Sequence, residues 1–172
     1  EAARSLHEDA LAVTEKALGP DHPDVATSLN NLALLLLAQG RYEAARPLLE
    51  RALAIEEKAF GPDHPDVASA LNSLAGLLEE QGQHDAARSL YERALAIREE
   101  TLGPDHPDVA TSVSNLAGQL KDQGQYDAAR SLYERALAAA GRRLASDDNA
   151  ASVEPLGPAG PLLLGQERQQ RM

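Results

Sequence analysis

The sequence predicts an all-α solenoid of antiparallel helix pairs, and three observations predict it. The string Gly-Pro-Asp-His-Pro-Asp-Val-Ala begins at Gly19, at Gly61 and at Gly103, which fixes a period of 42 residues. Periods of this size belong to solenoids and propellers. Within each unit the apolar residues recur with helical spacing and never alternate with period two, which removes propeller blades. Aromatic residues make up only 3% of the 172 residues, with no Trp and a single Phe, Phe60. A core built from Leu and Ala suits closely packed helices far better than sheets.

The elements follow in order. Residues 1–18 align with residues 43–60 and form an orphan second helix. Three complete units occupy 19–60, 61–102 and 103–144, so the array of residues 1–144 holds seven helices. In the first unit, residues 23–39 place Val25, Leu29, Leu32, Ala33 and Leu36 on one helical face. Residues 42–59 do the same with Ala45, Leu48, Leu49, Ala52, Leu53 and Ile55. Gly40, Gly82 and Gly124 lie between the two helices of each unit, where a left-handed residue ends the first helix at little steric cost. Gly19, Gly61 and Gly103 are expected to end the second helix in the same way. Pro23, Pro65 and Pro107 fall in the first turn of the next helix, and the Asp after each suits its positive end. At residue 145 a fourth Gly-Pro-Asp-His is replaced by Ala-Ser-Asp-Asp, and the array is expected to stop. Residues 145–172 are a Pro/Gly-rich tail in which Leu162, Leu163 and Leu164 precede a polar run able to form a short helix. That helix would cap the last pair, lie in a neighbouring copy's groove, or take no fixed place. The chain starts without Met and inside a unit, as a piece of a longer protein would.

Small residues recur where paired helices would cross: Ala33, Ala75 and Ala117, then Ala45, Ala87 and Ala129, then Ala52, Ala94 and Ala136. The run Leu-Asn-Asn-Leu-Ala at 29–33 has variants at 71–75 and 113–117. On these residues the chain resembles tetratricopeptide repeats of the 42-residue kind found in kinesin light chains and bacterial multi-repeat proteins. The resemblance spans residues 1 to about 144. It implies a right-handed superhelix whose first helices line a concave groove and whose second helices form the convex back.

Carried over position by position, the groove presents Thr27, Asn30, Asn31, Leu34 and Leu37 from the first unit. The second contributes Ser69, Asn72, Ser73 and Glu79, and the third Thr111, Ser114, Asn115 and Lys121. These positions lie opposite the crossing face on a helical wheel. An Asn side chain offers a donor and an acceptor together, so Asn31, Asn72 and Asn115 can grip peptide backbone without reading side chains. The same residues can equally bond the adjacent helix and fix its packing. Only the first unit is apolar on its groove side, at Leu34 and Leu37, where the later units have Gly76 with Glu79 and Gly118 with Lys121. Leu34 and Leu37 read as an anchor for an apolar ligand side chain, or as contacts with a neighbouring or upstream helix. Clamps for C-terminal carboxylates and for acidic cargo in related repeats need several bases in this groove, and only Lys121 is present.

The implied function is a protein–protein interaction scaffold that binds an extended peptide or partner segment. The alternative is a structural spacer or self-association element acting through the open array ends or the tail. The net charge is −11. After Gly141 four basic residues balance four acidic ones, so all of it belongs to residues 1–141. Such a body repels phosphate backbones and favours neutral to basic peptides over nucleic acid. No enzyme is expected, because no phosphate loop, nucleophile elbow or zinc-protease motif occurs. No metal or other cofactor is expected either. There is no Cys, and His22, His64 and His106 each stand alone in a different turn, short of a zinc ligand set. These histidines read as turn and helix-start residues. The longest apolar run, 32–38, cannot cross a membrane, and no signal peptide is visible, so a cytoplasmic setting is expected.

Overall fold

The computed structural model describes the backbone of residues 2–151 and the side chains of residues 4–143. Within them the chain forms seven helices: α1 (Ala2–Leu18), α2 (Pro23–Ala38), α3 (Tyr42–Phe60), α4 (Pro65–Glu80), α5 (His84–Leu102), α6 (Pro107–Asp122) and α7 (Tyr126–Ala151). They stack as a right-handed superhelix of antiparallel pairs: α2 with α3, α4 with α5 and α6 with α7.

Each first helix begins on a histidine. His22, His64 and His106 take extended backbone at the N-cap, and each Nδ1 accepts a hydrogen bond from the amide of Asp24, Asp66 or Asp108 at 3.2 Å. Proline follows at the first helical position, where its missing N–H costs nothing. The far end closes on Gly40, with φ +69°. The Gly40 amide donates to the Leu37 carbonyl and the Arg41 amide to that of Leu36, both at 2.9 Å, the paired closure of a Schellman turn. The second helices end differently from the expectation. Gly61 has φ 90° but ψ 162°, and Gly103 φ 80° and ψ 157°. Both leave the helix in an extended, glycine-only conformation and not the left-handed helical one. That exit throws the chain sideways into the Pro-Asp-His turn instead of reversing it.

The third pair departs from the repeat at its C-terminal end. α7 runs through Gly141 and past residue 144 to Ala151. Ala-Ser-Asp-Asp lacks the Gly-Pro pair that ends α3 and α5, so nothing stops the helix. Residues 162–164 and the rest of the tail beyond 151 lie outside the described residues.

The core is a continuous ribbon of Leu and Ala that passes from α2 to α7. Ala33, Ala45, Ala75, Ala87 and Ala117 are fully buried in it, as their place at the helix crossings requires. Two satellite clusters, Val25–Leu29–Ile55 and Val67–Leu71–Ile97, seal the N-terminal halves of α2 and α4 against α3 and α5. First helices touch one another directly, α2 with α4 and α4 with α6, whereas among the described residues no second helix reaches the next in this way. The array therefore curves with α2, α4 and α6 inside. On the outside, long side chains join successive second helices. Arg51 pairs with Glu15 at 2.6 Å, Arg93 with Glu57 at 2.8 Å, and Arg135 with Glu99. Arg51 and Arg93 also donate to the carbonyls of Pro20 and Pro62 in the turns between units.

Both ends of the described array are open. Leu6 and Val13 on α1, and Tyr126 and Leu137 on α7, stay 67–72% exposed. Inner equivalents of two of them, Ile55 and Leu95, are buried by a neighbouring helix.

Candidate peptide-binding face

The concave face of α2, α4 and α6 holds two clefts of about 320 Å³ each. The first opens between the N-terminal halves of α2 and α4. Thr27 and Asn30 line it with Asp24 from α2, Ser69 with Asp66 and Ala70 from α4, and Glu56 and Phe60 from α3. The second opens between α4 and α6. Glu79 and Glu80 line it with Ser114, Asn115, Gly118, Gln119 and Asp122 from α6, and Tyr91 from α5. Six groove residues expected from the sequence therefore gather in two places: Thr27, Asn30 and Ser69 in one, Glu79, Ser114 and Asn115 in the other.

The remaining seven lie outside both clefts. Asn31, Leu34, Thr111 and Lys121 are exposed, and Leu37, Asn72 and Ser73 are half-buried. Leu37 packs against the core ribbon, whereas Leu34 keeps 45% of its surface exposed. Asn72 is engaged between units: its Nδ2 donates to Ser112 Oγ on α6 at 3.5 Å, and its Oδ1 is buried. Among the described residues, the Asn31 and Asn115 side chains make no hydrogen bond. Lys121 lies 3.6 Å from the Asp122 carboxylate, which partly neutralises it.

Charge in the second cleft is set by burial. Tyr91 is 5% exposed, and its hydroxyl donates to Glu79 Oε2 at 3.1 Å. Burial raises the Glu79 carboxyl above the usual range, while the Tyr91 hydrogen bond pulls it partly back. Burial beside Glu79 raises the Tyr91 phenol as well. Gln119 is 1% exposed, and its Nε2 donates to the His84 carbonyl at 2.6 Å, which ties α6 to the start of α5. In the first cleft, burial with the like charge of Asp66 pushes the Glu56 carboxyl up to about 7.

Sequence reasoning missed Glu56, Tyr91 and Gln119 because all three stand on lines of the repeat that change chemistry. Glu56 aligns with Arg98, Tyr91 with Leu49 and Gln119 with Leu77. Comparing units at each position would have found them. The three Asp-His-Pro-Asp histidines are engaged as helix caps, and among the described residues no three His, Asp or Glu side chains are placed to hold a metal ion. No described helix is long and apolar enough to cross a membrane.

Comparison with known proteins agrees with the helical-repeat fold. The family profile of the tetratricopeptide repeat matches residues 1–58, 28–100 and 66–142. Among solved structures the chain is similar to BtubC (BKLC) from P. vanneervenii, at 25% identity and a TM-score of 0.71 over 97% of this chain and 63% of that one. The chain thus spans less than two thirds of that protein. It is also similar to a protein described as a kinesin light chain with nearly identical TPR-like repeats from Podosopora anserina, at 29% identity and a TM-score of 0.69. That match covers 91% of this chain and 70% of the other. MamA, at 20% identity and a TM-score of 0.57 over 81% of this chain and 71% of its own, shares the fold. A comparison with curated protein sequences finds no match.

Proposed function

The chain belongs to the tetratricopeptide repeat family, whose members are in general protein-interaction scaffolds and not catalysts, and from that premise we propose that it holds an extended partner segment along the concave face of α2, α4 and α6. The observation that carries the reading is the pair of clefts, which lie at successive unit junctions and are edged by Asn, Ser and Thr. A peptide laid across them meets hydrogen-bonding groups from three units in turn. Asn31 and Asn115, unused by the fold, are free to grip its backbone. Leu34 supplies an exposed apolar contact for one side chain. Glu79, Glu80 and Asp122 make the second cleft acidic, so the partner is neutral to basic, and its binding weakens as salt rises. A cytoplasmic setting belongs to the same proposal. To test it, peptides are selected from a random display library on the full chain and mapped by amide chemical shifts. Shifts confined to α2, α4 and α6 support the reading, and shifts on the outer faces of α3 and α5 contradict it.

A second reading, self-association or continuation of the array, draws on Leu6, Val13, Tyr126 and Leu137. Sedimentation over a hundredfold concentration range tests it. A monomer throughout, unaffected by Leu137→Glu, would discard it.

A further inference from the structure

The two inner unit junctions differ most at the position of Arg98, and the difference exposes a site. At the junction of the second and third units, Arg98 of α5 is 8% exposed and fills the space between α4 and α6. Its Nη1 donates to Ser112 Oγ at 2.8 Å and to the Asp108 carbonyl at 3.3 Å, and its Nη2 donates to Ser69 Oγ at 3.0 Å. One unit earlier the equivalents of Arg98, Ser112, Asp108 and Ser69 are Glu56, Ala70, Asp66 and Thr27. All four line the first cleft of the concave face. The space a guanidinium occupies at one junction is thus a cleft of about 320 Å³ at the other, large enough for an arginine side chain.

The chemistry of the cleft is reversed along with its filling. The donor Arg98 is replaced by the acceptor Glu56, and Asp24 and Asp66 line the same space. Two acceptors at its wall, Asn30 Oδ1 and Glu56 Oε2, are buried with no hydrogen-bond partner among the described residues. A buried acceptor without a donor is costly, and natural proteins retain few of them. No Lys or Arg lines the cleft. The carboxylates are too dispersed to hold a metal ion. A flat, delocalised cation with several donors matches them instead.

We propose that the cleft between α2 and α4 is a subsite for an arginine side chain of the bound partner, whose guanidinium takes the place that Arg98 fills at the next junction. The subsite rests on the groove reading for the backbone that carries the arginine, but the slot can be probed by itself. Glu56 loses its unpaired state when the slot is filled, and the charge that it keeps at the wall is neutralised.

The full chain is titrated with N-acetyl-arginine amide and with N-acetyl-citrulline amide, its uncharged isostere, following the amide signals of Thr27, Asn30, Ser69 and Ala70. The arginine probe is expected to shift these signals saturably, and the citrulline probe to bind about tenfold more weakly or not at all. Glu56→Gln should weaken the arginine probe by about tenfold as well. Glu56→Arg should abolish its binding and raise the melting temperature, because the chain then supplies its own guanidinium as Arg98 does. Equal response to both probes, or arginine binding unchanged in Glu56→Gln, overturns the subsite. Neither result bears on backbone gripping by Asn31 and Asn115, since neither probe carries an extended peptide.

Discussion

The Tyr91 hydroxyl lies 3.6 Å from the point where a Cβ on Gly76 would stand. One unit later Tyr133 stands over Gly118 in the same way, at 3.9 Å, and one unit earlier the equivalent residues are Leu49 and Leu34. A long side chain on the second helix thus goes with a missing one on the first. The apolar Leu34 of the first unit is one half of this exchange, and a ligand is not needed to explain its size.

Both distances are ordinary van der Waals contact, and neither glycine has positive φ. Gly76→Ala and Gly118→Ala should therefore each stabilise the array by about 0.5–1 kcal/mol, the helix-propensity gain. Urea unfolding checks it. A loss of stability in both variants would mean that the tyrosines leave no room. Gly76→Leu should cost stability and break the Tyr91–Glu79 hydrogen bond.

The histidine caps make a second prediction. Replacing His64 by Ala should cost about 0.5–2 kcal/mol, and replacing it by Asn should restore most of that, since Asn supplies an equivalent acceptor. Thermal unfolding of the two variants decides. Equal losses in both would mean that His64 acts through its stacking on Phe60, with ring centroids 4.6 Å apart, and not through Nδ1.

Much of this was legible in the sequence, and the limits have physical causes. The 42-residue period located the starts of α2, α4 and α6, because Pro and His punctuate the chain at fixed places. The run of α7 past residue 144 was not legible, since a helix stops at a signal and Ala-Ser-Asp-Asp carries none. The pairs Arg46–Glu50, Arg88–Glu92 and Arg130–Glu134 could be read as local i,i+4 contacts and form at 2.8 Å. The ladder of Arg51 to Glu15 and Arg93 to Glu57 could not, because its partners meet only after the units stack. Asn72 shows the same limit. Its place on the wheel suited a groove, and only the stacking of α6 brings Ser112 to it.

Glu56 makes stability depend on pH. Its carboxyl is raised from 4.5 to about 7, so the folded state binds that proton more tightly than the unfolded chain does. This contribution is most favourable below about pH 4.5 and is lost as pH rises through about 7. A shift of this size in a closed site corresponds to about 3 kcal/mol, and solvent in the open cleft reduces it to about 1–2 kcal/mol. Asp24 of α2 and Asp66 of α4 face the same space, with His22 and His64 beside them. Glu56→Gln should be the more stable protein at pH 8 and lose its advantage at pH 4.5. A constant difference across that range would contradict the assignment.

Small residues at the helix crossing set a further expectation. Ala87 is fully buried where α4 meets α5. Ala87→Leu should overpack that crossing and cost about 1–3 kcal/mol. Because each unit packs only on its neighbours, hydrogen exchange should rise most in α4 and α5 and least in α1. Uniform loosening of all the helices would mean that the array unfolds as a single cooperative block.

The most direct test of the central claim is calorimetric titration of one library-selected peptide against the wild-type chain, Asn31→Ala and Asn115→Ala, with melting temperatures measured alongside. The two asparagines are free of the fold, so affinity should fall by about 0.5–1.5 kcal/mol in each variant while the melting temperature holds. Asn72→Ala, which breaks a contact between units, should lower the melting temperature instead. Unchanged affinity in Asn31→Ala and Asn115→Ala, with melting temperatures that fall, would make both asparagines structural and contradict the concave face as the binding surface.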